Sequence, residues 1–159
     1  MLRTDRLRDV DLTRTSAVGR PCHNLLALPA PPETHLDLLQ RPLFAAWATL
    51  DNHGGPLVNP MWFVWDSDEE VIRLTHTTKR SNYANVRRDQ RVALLIWDPD
   101  DPYRYIQIRG VVQSIDADPT GSLHEALQVR YRGFVSDVSD RGSRVVITVR
   151  PVTYKVRDN

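Results

Sequence analysis

Cysteine is nearly absent from this chain. Cys22 stands alone, which excludes an internal disulfide framework and most thiolate metal sites. Net charge is almost absent as well. The 21 basic and 20 acidic residues leave +1 at neutral pH, so there is no general electrostatic case for nucleic acid or an acidic membrane. No apolar run approaches the ~20 residues needed to span a bilayer. The first residues lack the apolar core of a secretory signal. The expectation is a cytoplasmic protein that engages neither membrane nor nucleic acid. Lysine is scarce: Lys79 and Lys155 are the only two. Arginine supplies the rest of the positive charge, and its planar fork favours bidentate anion contacts. There is no GxGxxG, no GKS or GKT phosphate loop and no serine nucleophile elbow. The histidines His23, His35, His53, His76 and His124 show no paired metal-ligand spacing, so no metal site is expected.

What remains is the composition of one ordinary domain. A chain of 159 residues, 41% hydrophobic and 26% charged, can bury a real core. Residues 1–34 read as an extension. Arginine and aspartate alternate there without a sustained period, and Leu28-Pro29-Ala30-Pro31-Pro32 resists both helix and sheet. Cys22 falls in that tail and reads as an unreactive thiol. Residues 35–159 read as the folded domain. His35–Leu39 makes one helical turn leading in. Strands follow over Leu43–Leu50, Leu57–Trp65, Val71–Thr77, Val92–Trp97, Tyr103–Ile115, Arg144–Val149 and Val152–Arg157. Turn clusters at Asp51–Pro56 and Asp66–Glu69 separate the first three. Ser81–Arg88 reads as a short helix. A second opens after Asp118-Pro119, with Ser122 and Glu125 as its capping box, and stops at Gly133. Seven strands and two short helices, with little room for parallel crossovers, predict a mainly β (α+β) fold: an antiparallel barrel.

Two patterns carry chemistry. The turn into the first helix holds the hydroxyls of Thr77, Thr78 and Ser81, the cations Lys79 and Arg80, and the open N–H groups of a helix start. That is the donor set a phosphate needs; the plain reading of the same residues is a helix cap flanked by solvated cations. The strand after Asp98-Pro99-Asp100-Asp101-Pro102 carries Tyr103, Tyr105, Gln107 and Arg109 on one face. Such a face can stack bases, but the near-zero net charge argues against nucleic acid, and an interface strand is the simpler reading. Leu57–Trp65 is apolar on both faces. A sheet buried on both sides needs a second cover, and in so small a chain a second subunit or a helix of the same chain can supply it.

From about Leu38 to Arg157 the chain resembles the split-β-barrel family related to pyridoxamine 5′-phosphate oxidase. Within it, the resemblance is closest to the branch of deazaflavin (coenzyme F420)-dependent oxidoreductases. Four stretches in order carry the resemblance: Phe44–Leu50 with Gly55–Phe63, Asn85–Val92, Asp98–Gly110 and Gln128–Gly133. The resemblance implies an FMN-binding type of split barrel and a homodimer with cofactor at the subunit interface. It implies a ring system along Asn59, Pro60, Met61 and Trp62, with phosphate at Lys79, Arg80 and Ser81. Thr77, Asn82 and Asn85 complete the cofactor set, and Tyr105 and Arg109 are assigned to the cofactor tail or the substrate rim. Two departures stand out. Asn82 occupies a position that is often basic in the family, and Gln90 replaces a usual proline. They bear on cofactor affinity more than on fold.

Three functions follow. The first is hydride transfer from reduced F420 to an unsaturated small molecule, a reaction in which the protein supplies position and polarity. The second keeps the fold and uses FMN as a reductase or oxidase. The third is a non-catalytic cofactor or small-molecule carrier.

Overall fold

The computed structural model describes residues 29–158. Cys22 and most of the expected extension lie outside the described residues. A 3-10 turn at Glu33–His35 leads into α1 (Leu36–Gln40). The strands are β1 (Ala45–Leu50), β2 (Pro56–Met61), β3 (Val64–Asp66), β4 (Val71–Thr77), β5 (Arg91–Trp97), β6 (Tyr105–Ala117) and β7 (Arg144–Arg157). Helix α2 (Ser81–Arg88) follows β4, and α3 (Ser122–Arg132) follows β6. All seven strands form one antiparallel sheet in the order β2-β1-β5-β6-β7-β4-β3. The two ends of that order, β2 and β3, are not hydrogen-bonded to each other. The sheet is a barrel left open along one seam.

Strand alternation sets the core. Ala45 and Trp47 on β1, Leu94 and Ile96 on β5, Ile106 and Ile108 on β6, and Ile147 and Val149 on β7 are all buried. Leu38, Leu39 and Phe63 close the cluster from outside the long strands. The opposite face of β1, β2 and β5 carries Ala46, Ala48, Val58, Ala93 and Leu95. Val58 is 56% exposed there and Leu95 37%.

The structure redraws the sequence reading at three places. The expected strand Leu57–Trp65 breaks at Trp62-Phe63. Its polar backbone turns instead to the Tyr131 hydroxyl, which accepts the Phe63 N–H at 3.1 Å and donates to the Leu43 carbonyl at 2.7 Å. The two expected C-terminal strands are one strand of 14 residues. Pro151, which has no N–H to give, sits opposite Gly110 where the ladder slips by a residue. Gly110 is required there: a Cβ would fall 2.7 Å from Val149 Cγ1 and 2.9 Å from the Arg150 carbonyl. Finally, the capping box of α3 does not form. Asp118 takes the Ser122 and Leu123 N–H groups at 2.9 and 3.1 Å, and Glu125 turns outward to Arg141 at 2.5 Å. Gly133 ends α3 at φ 80°, as a left-handed cap.

Candidate functional site

The open seam holds a cleft of about 450 Å³. One wall is β2, whose core-side residues Leu57, Asn59 and Met61 line it with Pro60. The other wall is the end of β4, Thr75, His76 and Thr77. The start of α2 contributes Arg80, Ser81 and Asn82, and Asp140 with Arg144 completes the lining. The cleft exists because β3 pairs only with Val71–Arg73 of β4. The rest of β4 pairs on one side only, with β7.

Among the described residues, the α2 corner holds donors without partners. Arg80 is the N-cap residue, with extended backbone and no side-chain capping bond. The first N–H groups of a helix have no intrahelical acceptor and carry partial positive charge. Among the described residues, Arg80 pairs with no carboxylate. Asn82 is buried, at 5% exposure, yet its Nδ2 has no hydrogen-bond partner. Across the cleft the buried Oδ1 of Asn59 is also unpartnered. A buried polar atom without a partner is costly, so a donor and an acceptor left open in one cleft mark a place shaped for a ligand.

The other lining arginine is different. Arg144 is held by both oxygens of Asp140, at 2.8 and 3.1 Å, and reaches Thr75 Oγ1 at 3.5 Å. On β4, His76 Nδ1 accepts the Thr77 N–H at 2.9 Å. A neutral ring in that arrangement carries its proton on Nε2. Burial, reinforced by Arg80 and Arg144, pushes the His76 pKa below its ordinary value, so the ring is neutral at pH 7.

A second hollow of about 340 Å³ adjoins the cleft. It shares Pro60, Met61, Thr75 and Arg144 with it and adds Phe44, Trp62, His124 and Arg132. Trp62 lies nearly parallel to Tyr131, 5.1 Å between centroids, and to His124 at 6.2 Å. The Arg132 guanidinium sits 4.8 Å over the Trp62 ring.

Of the residues expected from sequence, Asn59, Pro60, Met61, Thr77, Arg80, Ser81 and Asn82 line the cleft together. Trp62 lines the adjoining hollow. Lys79 is exposed on the turn beside the cleft and does not line it. Asn85 is one helical turn further on and faces inward, its Nδ2 donating to Thr49 Oγ1 at 3.0 Å. Tyr105 and Arg109 stand on the other face of the sheet, in hollows with Ala48, Ala93 and Leu95 or Val152. Sequence reasoning passed over His76, Thr75 and Arg144. Arg144 lies opposite Thr77 in the β4–β7 ladder, a neighbour set by register alone. His124 and Arg132 come from α3, and no local pattern ties that helix to β2.

Comparison with known proteins gives a consistent picture. Residues 31–158 match the family model described as Pyridoxamine 5′-phosphate oxidase. A solved structure named F420 Reductase is 45% identical, with a TM-score of 0.75 over 79% of this chain and 98% of its own. A conserved hypothetical protein from Mycobacterium tuberculosis shares 24% identity at a TM-score of 0.65, over 83% of this chain and 88% of that one. General Stress Protein 26 from Bacillus anthracis shares 19% at 0.61, over 79% and 92%. These last two likenesses speak to the fold alone. With its whole open barrel inside that family's model, the chain belongs to the pyridoxamine 5′-phosphate oxidase family.

Proposed function

We propose that the protein is an oxidoreductase that binds the reduced deazaflavin coenzyme F420 in the seam of the barrel and serves hydride transfer to an unsaturated small molecule. The observation that carries this reading is the coincidence at one cleft of an uncompensated arginine, an open helix start and two unpartnered buried amides. Arg80 and the α2 N–H groups suit a phosphate. The Asn59 oxygen and Asn82 nitrogen suit the alternating carbonyl and N–H edge of a flavin-like ring. The residues present therefore fit such a group. The likeness to the F420 Reductase structure supports the same choice.

When bound, the reduced coenzyme supplies the hydride. The protein's share is position. Arg80 and Ser81 hold the anionic end. Leu57, Pro60 and Met61 line the cleft and would offer the bound group an apolar bed. His76 contributes a neutral N–H donor at the cleft wall, and no side chain there is needed as the proton source when solvent reaches the acceptor.

We further propose a homodimer. The outer face of β1, β2 and β5 is largely apolar and set with small side chains, Ala46, Ala48 and Ala93, that allow a second sheet to approach closely. Tyr105 and Arg109 share that face and would meet the partner there. The seam and this face both involve β2, so cofactor and subunit interface would adjoin.

Titration of the purified protein with F420 and with FMN, followed by fluorescence, tests the reading. Tighter binding of F420 is expected. Tightly held FMN in yellow protein would move the assignment to an FMN enzyme, and binding of neither would favour a carrier. Light scattering on a sizing column should return twice the chain mass; a monomer would refute the dimer.

A further inference from the structure

We infer that the hollow beside the cleft is the seat of the second substrate, and that it takes a one- or two-ring conjugated carboxylate, because apolar walls and an uncompensated guanidinium meet there. This rests on the hydride-transfer reading for its meaning, but the binding itself does not.

The hollow is small. Its volume of about 340 Å³ lies at the lower end of ligand pockets, about 300–1,000 Å³, which suits one or two fused rings. Its apolar walls are Phe44, Pro60, Met61 and Trp62, beside the polar Thr75, His124, Arg132 and Arg144. Phe44 is 51% exposed and meets Tyr131 edge-on at 5.8 Å, so a ring face remains open to a ligand. Trp62 is packed in place: Tyr131 and His124 stack nearly parallel to it, and Tyr131 is itself tied to the backbone of Leu43 and Phe63.

The charge is equally specific. Two arginines line this hollow, and they are not equivalent. Arg144 is neutralised by Asp140. Arg132 has no ion pair and no side-chain hydrogen bond among the described residues. An exposed arginine is ordinarily just solvated. This one is laid over the Trp62 ring, which holds its guanidinium at the wall. His124 adds a buried Nδ1 without a partner. On the same helix, Arg130 shows the contrast: its Nη2 donates to the carbonyls of Gln40 and Arg41. A planar carboxylate matches a planar guanidinium bidentately, and a ring attached to it would lie along Phe44 and Met61. The shared wall of Pro60 and Met61 puts such a ligand next to the cleft.

Calorimetric titration of the full-length protein with trans-cinnamate, cinnamamide and cinnamyl alcohol tests this without requiring turnover. Cinnamate should bind about tenfold more tightly than either uncharged analogue. Arg132→Gln should abolish that preference, and Arg132→Lys should keep part of it. Equal affinity for the three probes, no cinnamate binding at millimolar concentration, or an unchanged preference in Arg132→Gln would each overturn the inference. A parallel F420 titration separates the two claims. Cinnamate selectivity without F420 binding would leave this seat standing and remove the coenzyme, whereas F420 binding without cinnamate selectivity would do the reverse.

Discussion

Two corners of this protein are built from arginine and a short helix, and they have opposite electrostatics. Beside α1, Arg41 meets Asp98 at 2.7 Å and Arg104 meets Asp37 at 2.6 Å, with cross-contacts of 3.3 and 3.6 Å. Every charge in that cluster is answered. The Arg41 hydrogen bond, followed by the Asp100 N–H, holds the Asp98 carboxyl at about 2, and Arg104 in the same way lowers Asp37. At the start of α2, Arg80 has no carboxylate partner among the described residues, and a buried amide nitrogen beside it is unpaired among them. Residue type is shared by the two corners, so it cannot distinguish a clamp from a binding site. What separates them is whether the fold has already supplied the partner.

The comparison is broken most decisively at Arg80. Arg80→Glu should lower coenzyme affinity by about a hundredfold while leaving the thermal midpoint unchanged, because no internal contact is lost. A matching loss of stability would mean that Arg80 is structural after all. Asn82→Leu comes next. It replaces an unpartnered buried amide with an apolar side chain of similar size, so affinity should fall about tenfold while stability holds or rises. Unchanged affinity would show that the open amide is not part of the site. In the clamp the expectations reverse. Arg104→Gln should lower the melting temperature by about 1–3 °C and leave coenzyme binding untouched.

The smallest effect is its pH dependence. Asp98 and Asp37 titrate lower in the folded state than in the unfolded chain, so the clamp's contribution is full above the ordinary carboxylate pKa of about 3.9. It is lost as pH falls from there toward about 2. The difference between native protein and Arg104→Gln in denaturant melts should therefore be smaller at pH 2.5 than at pH 6, without vanishing, because Asp98 is still partly ionised just above about 2. A constant difference would place the effect in packing rather than charge.

The same distinction explains what could be read before the structure. The turn at Thr77–Asn82 and the apolar run through Met61 were legible, because a helix start and a strand are local patterns with fixed side-chain directions. The resemblance supplied the pairing of those two segments. The Asp118 cap was not legible, because Ser122 and Glu125 offered an equally good local solution and the choice turned on Arg141 drawing Glu125 away. The break at Trp62-Phe63 was hidden for a related reason. The side chain that replaces the ladder bonds belongs to Tyr131, 68 residues downstream.

Local physics in the sequence determined most of the strands, the two main helices and the cation that begins α2, since alternation, helical period and capping act over a few residues. Only the tertiary structure decided that the sheet stays open along β2 and β4, that Arg144 arrives opposite Thr77, and that α3 brings His124 and Arg132 against Trp62. Those contacts depend on strand register and on helix docking, where distant segments compete for the same partners and no single stretch of residues carries the answer.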